Sequence, residues 1–227
     1  REIECKLEKA TVSEIEIEKK GQLGYKYVLR VTHDNISIFI ALEYIDKKIK
    51  LVPFSKHQSK LFCDFPLIGT EDFPFPVLIS SPDFNPTEPR DGVFLICKNS
   101  VRVDDEIEVN RNIIETACGL YQQLLEYVAK KKWDGIYNIT KICSYSKKDW
   151  YDEEWLEEII EKCKTAILHT PIVCTADGAM KALFDEWEGE QIFITSDENE
   201  SVREKIWQLL CYIVPDKIPQ REDLHEW

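Results

Sequence analysis

The first fifty residues alternate apolar and polar positions in the manner of strands. In the stretch from Val12 to Lys19, Ile15 and Ile17 share one face and the intervening glutamates the other. Gly21 and Gly24 mark a turn, and Tyr25 to Val31 is a second β-rich run. His33-Asp34-Asn35 carries turn chemistry. Ile36 to Tyr44 reads as a third strand, with a short fourth over Lys48 to Val52. The pattern predicts an antiparallel meander.

The character then changes. Seven of the ten prolines lie at positions 53, 66, 74, 76, 82, 86 and 89. Proline removes a donor and fixes φ, so this stretch excludes a regular helix. It is also too apolar for disorder. Phe62, Phe65, Phe73, Phe75, Val77, Leu78, Ile79 and Phe84 call for a core, which predicts a packed irregular segment with one strand near Val77 to Ser80.

From Asn110 the period becomes helical. Ile113, Ala117, Leu120, Leu124 and Val128 recur at threes and fours, and Asn110 reads as the N-cap. A second helix is expected from about Asp149 to Ala166, stopped by Pro171. Two short strands, Ile172 to Thr175 and Met180 to Leu183, flank the turn Ala176-Asp177-Gly178. A strand over Gln191 to Thr195 precedes a third helix from about Glu200 to Tyr212. The fold class is therefore α+β, an antiparallel β-rich part followed by a helix-rich part with short strands. All six tryptophans fall from Trp133 onward. That asymmetry suggests two packing units, residues 1–103 and 104–227, meeting near Val101 to Glu108.

Charge narrows the partners. The chain of 227 residues has a formal net charge of −13, the wrong sign for neutralising a phosphate backbone, so nucleic acid is not expected as a partner. The cluster Lys130-Lys131-Lys132 falls at a helix end, where cations complement the dipole. No stretch approaches the ~20 apolar residues needed to span a bilayer, so no membrane role is expected. Eight cysteines are scattered without a CxxC pair, which points to reduced thiols in the cytoplasm and away from a structural zinc. The chain opens on Arg1, and Met180 is its single methionine, so it reads as a piece of a longer protein.

One segment is distinctive: FPLIGTEDFPFPVLISSPDFNPTEPRDGVFL, from Phe65 to Leu95. It resembles the region that follows the ATP-binding domain in sacsin-type proteins, relatives of the ninety-kilodalton heat-shock chaperones. The parts in question are the apolar strand Phe75-Pro76-Val77-Leu78-Ile79 and the loop Phe84 to Asp91 with Arg90. TPIVCTADGAMKAL, from Thr170, resembles a turn that recurs in the same group. The resemblance implies a middle or linker segment of an ATP-dependent, chaperone-like protein, relaying nucleotide state and contacting protein clients. It supplies no nucleotide site here. Asp91-Gly92 and Asp177-Gly178 occur, but neither is followed by a glycine-rich lid. No cofactor is expected in this fragment, and ATP with Mg is expected only with an upstream ATP-binding domain of the same protein, its first partner.

On that reading Arg90 is the candidate catalytic residue, a guanidinium placed to fork onto a phosphate held by the neighbouring domain. The plainer reading is a pair with Glu88 or Asp91, or a solvated loop residue. Other sets carry less. Cys174, His169 and Asp177 have the residue types of a thiol hydrolase. His57, Cys63 and Asp64 have those of a metal site but lack a recognised spacing. The carboxylates from Asp152 to Glu161 read as a solvated helix face, and Trp133, Trp150 and Trp155 as core. The competing functions are a protein-interaction module built on the acidic helical half, without ATPase coupling, and a stand-alone hydrolase.

Overall fold

A computed structural model describes residues 10–19, 22–45, 48–96, 104–185, 189–196 and 198–227, with side chains from Tyr27 onward. Gly21, the facing of Ile15 and Ile17, and positions 101–103 of the expected boundary lie outside the described residues or side chains, whereas Gly24, expected in the turn, is a strand residue paired with Ile17, and Asp104 to Glu108 begin the first helix.

The strands are β1 (Ala10–Lys19), β2 (Gln22–His33), β3 (Ile36–Ile45), β4 (Lys48–Val52), β5 (Leu61–Phe62) and β6 (Leu78–Ser80). They form one six-stranded sheet in which β1, β2 and β3 run antiparallel in sequence order. The far edge of β3 is shared. Its last residues, Ala41 to Ile45, pair with β4, and Ser37 to Phe39 pair with β6. β5 then adds to β6 in parallel, with Leu61 opposite Ile79. The predicted meander is present, and the proline-rich segment extends it with two strands rather than one.

Alternation explains the sheet. Ile36, Ile38, Ile40 and Leu42 on β3 are buried, as are Leu29 and Val31 on β2. Ser37 is buried on the opposite face, where its hydroxyl accepts from Arg30 Nε at 2.9 Å. In the proline-rich stretch the backbone is satisfied locally. The Thr70 hydroxyl accepts from the N–H groups of Lys60 and Leu61, both at 3.1 Å, and donates to the Leu67 carbonyl at 2.7 Å. Phe73, Phe75 and Phe84 are buried as expected, but Phe65 and Ile68 lie on the surface. The chain doubles back there, with Cys63 N–H donating to the Phe65 carbonyl, and turns both side chains outward.

Helix α1 (Asp104–Lys131) lies against the sheet and α2 (Glu153–His169) packs on α1. α1 starts six residues before the expected cap, so Asn110 is an interior residue. Tyr121, fully buried on α1, donates its hydroxyl to the Ile139 carbonyl at 2.8 Å. α2 is capped by Asp152, whose carboxylate accepts from Trp155 N–H at 3.2 Å. Cys118 and Cys163 meet between the two helices with Sγ atoms 4.0 Å apart. The remainder comprises β7 (Val173–Cys174) with β8 (Met180–Lys181), β9 (Phe184–Asp185) with β10 (Glu190–Gln191), and α3 (Glu200–Ile213). The expected strand over Gln191 to Thr195 is reduced to Glu190–Gln191. The fold is α+β. Buried side chains from Leu29 to Ile192, on both sides of residue 103, belong to one cluster. Among the described residues no helix is long and apolar enough to cross a membrane.

Candidate functional site

The Arg90 loop is held from below. Asn110, wholly buried on α1, accepts from Asn85 N–H at 2.8 Å through Oδ1, and its Nδ2 donates to the carbonyls of Asn85 (3.0 Å) and Phe94 (2.9 Å). Arg111 adds two hydrogen bonds to the Leu95 carbonyl and an ion pair to Asp152. The tip closes on itself. Thr87 N–H donates to the Gly92 carbonyl at 2.9 Å, and the Thr87 hydroxyl bonds the Asp91 carboxylate at 2.6 Å. Gly92 is buried against the Trp150 indole. The left-handed residue of the turn is Arg90 itself, with φ +58°, where glycine is the usual occupant.

Arg90 is exposed. Among the described residues it forms no ion pair, and the neighbouring Asp91 carboxylate is engaged by Thr87. The structure thus presents a long cation on a pinned loop.

The other sets do not assemble. Cys174 lines a narrow recess with Asp223 and Trp227, whereas His169 lines a different depression with Pro171 and Phe184, and Met180 borders both. Burial, then the carboxylate of Asp223, pushes the Cys174 thiol up, against thiolate formation. Asp177 is committed to the Thr175 hydroxyl and the Ala179 N–H, which hold its carboxyl low. Among the described residues no group of three or more histidine, cysteine or acidic side chains is placed to hold a metal. The Cys63 thiol instead faces the carbonyls of Pro82 and Phe84. The acidic face of α2 carries ordinary pairs, Glu153 with Lys147 and Glu161 with Lys164. Trp150 is buried among Phe73 and Tyr151, and Trp155 lies under the Arg111 guanidinium.

What sequence reading missed is on α3. The helix is capped by Asn199, whose side chain accepts from Ser201 and Val202 N–H. It is held by Trp207, which donates to the Pro219 carbonyl at 2.9 Å, and by Glu204, which pairs with Arg221. Yet none of its 14 residues is buried. Val202, Ile206, Leu209 and Ile213 fall at spacings of four, three and four on one exposed face, with Leu209 at 60% and Ile213 at 61% exposure, and Tyr212 beside them at 90%. Phe193, whose N–H donates to the Lys217 carbonyl just beyond the helix, is also exposed. An apolar stripe of this period normally faces a core. Here it faces outward.

No protein-family model, curated protein or solved structure matches the chain. The sacsin-type resemblance rests on the segments from Phe65 and Thr170 alone.

Proposed function

We propose that the chain is a protein-binding segment whose α3 face docks an amphipathic helix with a basic rim. The exposed stripe of α3 carries this reading. A helix seated on it buries four aligned apolar side chains, each worth roughly 1.5–3 kcal/mol when fully covered. Charge selects the partner. α3 has no basic residue in its own last turn to offset the negative end of its dipole, and the chain as a whole carries −13. A cationic rim is steered toward such a surface and an acidic one is repelled. The test is a titration with two synthetic helices that share leucines at i, i+4 and i+7 and differ in lysine or glutamate flanks. The lysine peptide is expected to bind, and Leu209→Asp to abolish that binding. Failure of both peptides, with the chain either monomeric or self-associated through α3, overturns the reading.

A second reading has its own observation, the exposed Arg90 on its pinned loop, without an ion pair among the described residues. Under it the chain follows an ATP-binding domain in a longer, cytoplasmic, sacsin-like chaperone. Arg90 there stabilises charge on the phosphate of ATP and Mg bound by that domain. The two readings are compatible, since α3 and the Arg90 loop are separate features.

A further inference from the structure

A cleft of about 520 Å³ opens between the end of β4, the β5–β6 region and the chain after the 3-10 turn at Ile136–Ile139. Its size is that of sites for small organic ligands. The inner wall is apolar, built from Ile40, Ala41, Val52, Val77 and Ile139, all buried, with Phe54 at the side. The polar groups are few and mostly committed. Glu71 is turned to the Gly69 N–H and the Ser59 hydroxyl, and Asp72 to Lys148 and the Ser146 N–H. Lys56, Lys141 and Cys143 are exposed at the lip.

Lys60 is the exception. It lines the cleft, half-buried, and among the described residues its amine has neither a hydrogen bond nor an ion pair, with both nearby carboxylates engaged elsewhere. A lysine held in an apolar cleft without a counter-charge is the arrangement that makes an amine a nucleophile.

We infer that this cleft binds small apolar aldehydes and that Lys60 captures them as an imine. The Nζ lone pair adds to the carbonyl carbon and a C=N bond replaces C=O. The two amine protons end on the oxygen, which leaves as water. No oxidant or reductant takes part. The apolar wall accepts the hydrocarbon chain, and the lip lets the product water escape. The state of the amine agrees with this geometry: burial lowers its proton affinity, an effect partly offset by the Cys143 thiol.

The test is reductive trapping. The chain is incubated at neutral pH with hexanal and cyanoborohydride, then mapped by peptide mass spectrometry. Lys60 is expected to carry the adduct at an occupancy at least ~10-fold above exposed lysines such as Lys130 and Lys205, the preference a desolvated amine confers. Excess 1-octanol, which has the chain but no carbonyl, is expected to lower labelling at Lys60 and leave the surface lysines unchanged. Because the preference is read within the unaltered protein, no variant has to fold. Even labelling across the lysines, or labelling of Lys60 that octanol does not affect, overturns the inference.

Discussion

Asn110 grips the backbone of Asn85 from both sides, taking its N–H at 2.8 Å and giving to its carbonyl at 3.0 Å. One buried amide on α1 thereby sets the path of the loop that carries Arg90. Asn110→Ala leaves the Asn85 and Phe94 groups without these partners, and an unsatisfied buried polar group costs about 1–3 kcal/mol. A loss of roughly 2–3 kcal/mol is expected in urea unfolding. Asn110→Asp keeps the acceptor and removes the donors, and is expected to be no better. A change near zero for both would mean that the loop is held by other contacts.

Gly92 and Trp150 test the same loop by packing. A Cβ at Gly92 would stand 2.0 Å from Cε2 of the indole. Gly92→Ala is expected to cost about 1–3 kcal/mol as an overpacking change. Trp150→Leu should relieve the clash, so the double variant should lose less than the sum of the single losses. Additive losses in a denaturant cycle would show that the close approach carries no energy.

These two contacts mark how far the sequence could be read. Alternation placed β3 and β4 almost to the residue and the middle of β2, which extends three residues earlier and two later than its β-rich run. The apolar period, with Pro171 as a stop, placed α2, and α3 was placed to within a residue, while their caps, Asp152 and Asn199, emerged only in the structure. Asn110 was misread as a cap because a polar residue before an apolar run looks the same whether it starts a helix or pins a distant loop. β5 was missed because a two-residue parallel strand has no period of its own and exists through its register with β6. The Arg90 loop was legible as a presenting loop, but that its left-handed residue is Arg90 itself was not, because a non-glycine residue gives no sequence sign of a positive φ. Lys60 gave no local signal, since its apolar surroundings come from Ile40, Val77 and Ile139, far apart in the chain. The stripe on α3 was legible as amphipathic. That it faces outward is a tertiary fact.

Glu71 supplies a pH dependence. Burial alone would raise its carboxyl, but hydrogen bonds from the Gly69 N–H and the Ser59 hydroxyl, with Lys148 nearby, hold it below the ordinary value. A carboxyl lowered in the folded state stabilises above its unfolded pKa, about 4.3, and loses that contribution as pH falls through the folded value. The stability gap between the native chain and Glu71→Gln is therefore expected to be constant between neutral pH and about pH 5, and to shrink below about pH 4. A gap that widens in acid would contradict the assignment.

The left-handed conformation of Arg90 gives the coupling reading a clean variant pair. Arg90→Gly suits φ +58° and should leave the loop intact or more stable, whereas Arg90→Ala retains the strain. If the cation serves a phosphate in the longer protein, both should slow ATP turnover by at least about tenfold, or 1.4 kcal/mol of barrier, with little change in nucleotide affinity. Arg90→Lys should rescue poorly, because lysine lacks the planar fork. Full turnover in Arg90→Gly would reduce Arg90 to a solvated loop residue.

The docking role of α3 is the central claim, and hydrogen exchange on the complex tests it most directly. With the lysine-flanked amphipathic peptide bound, amide protection is expected to rise over residues 200–213 and near Phe193, with the sheet and α1 unchanged. Leu209→Asp should remove both the binding and the protection. Protection that rises elsewhere while α3 exchanges as in the free chain would contradict the account.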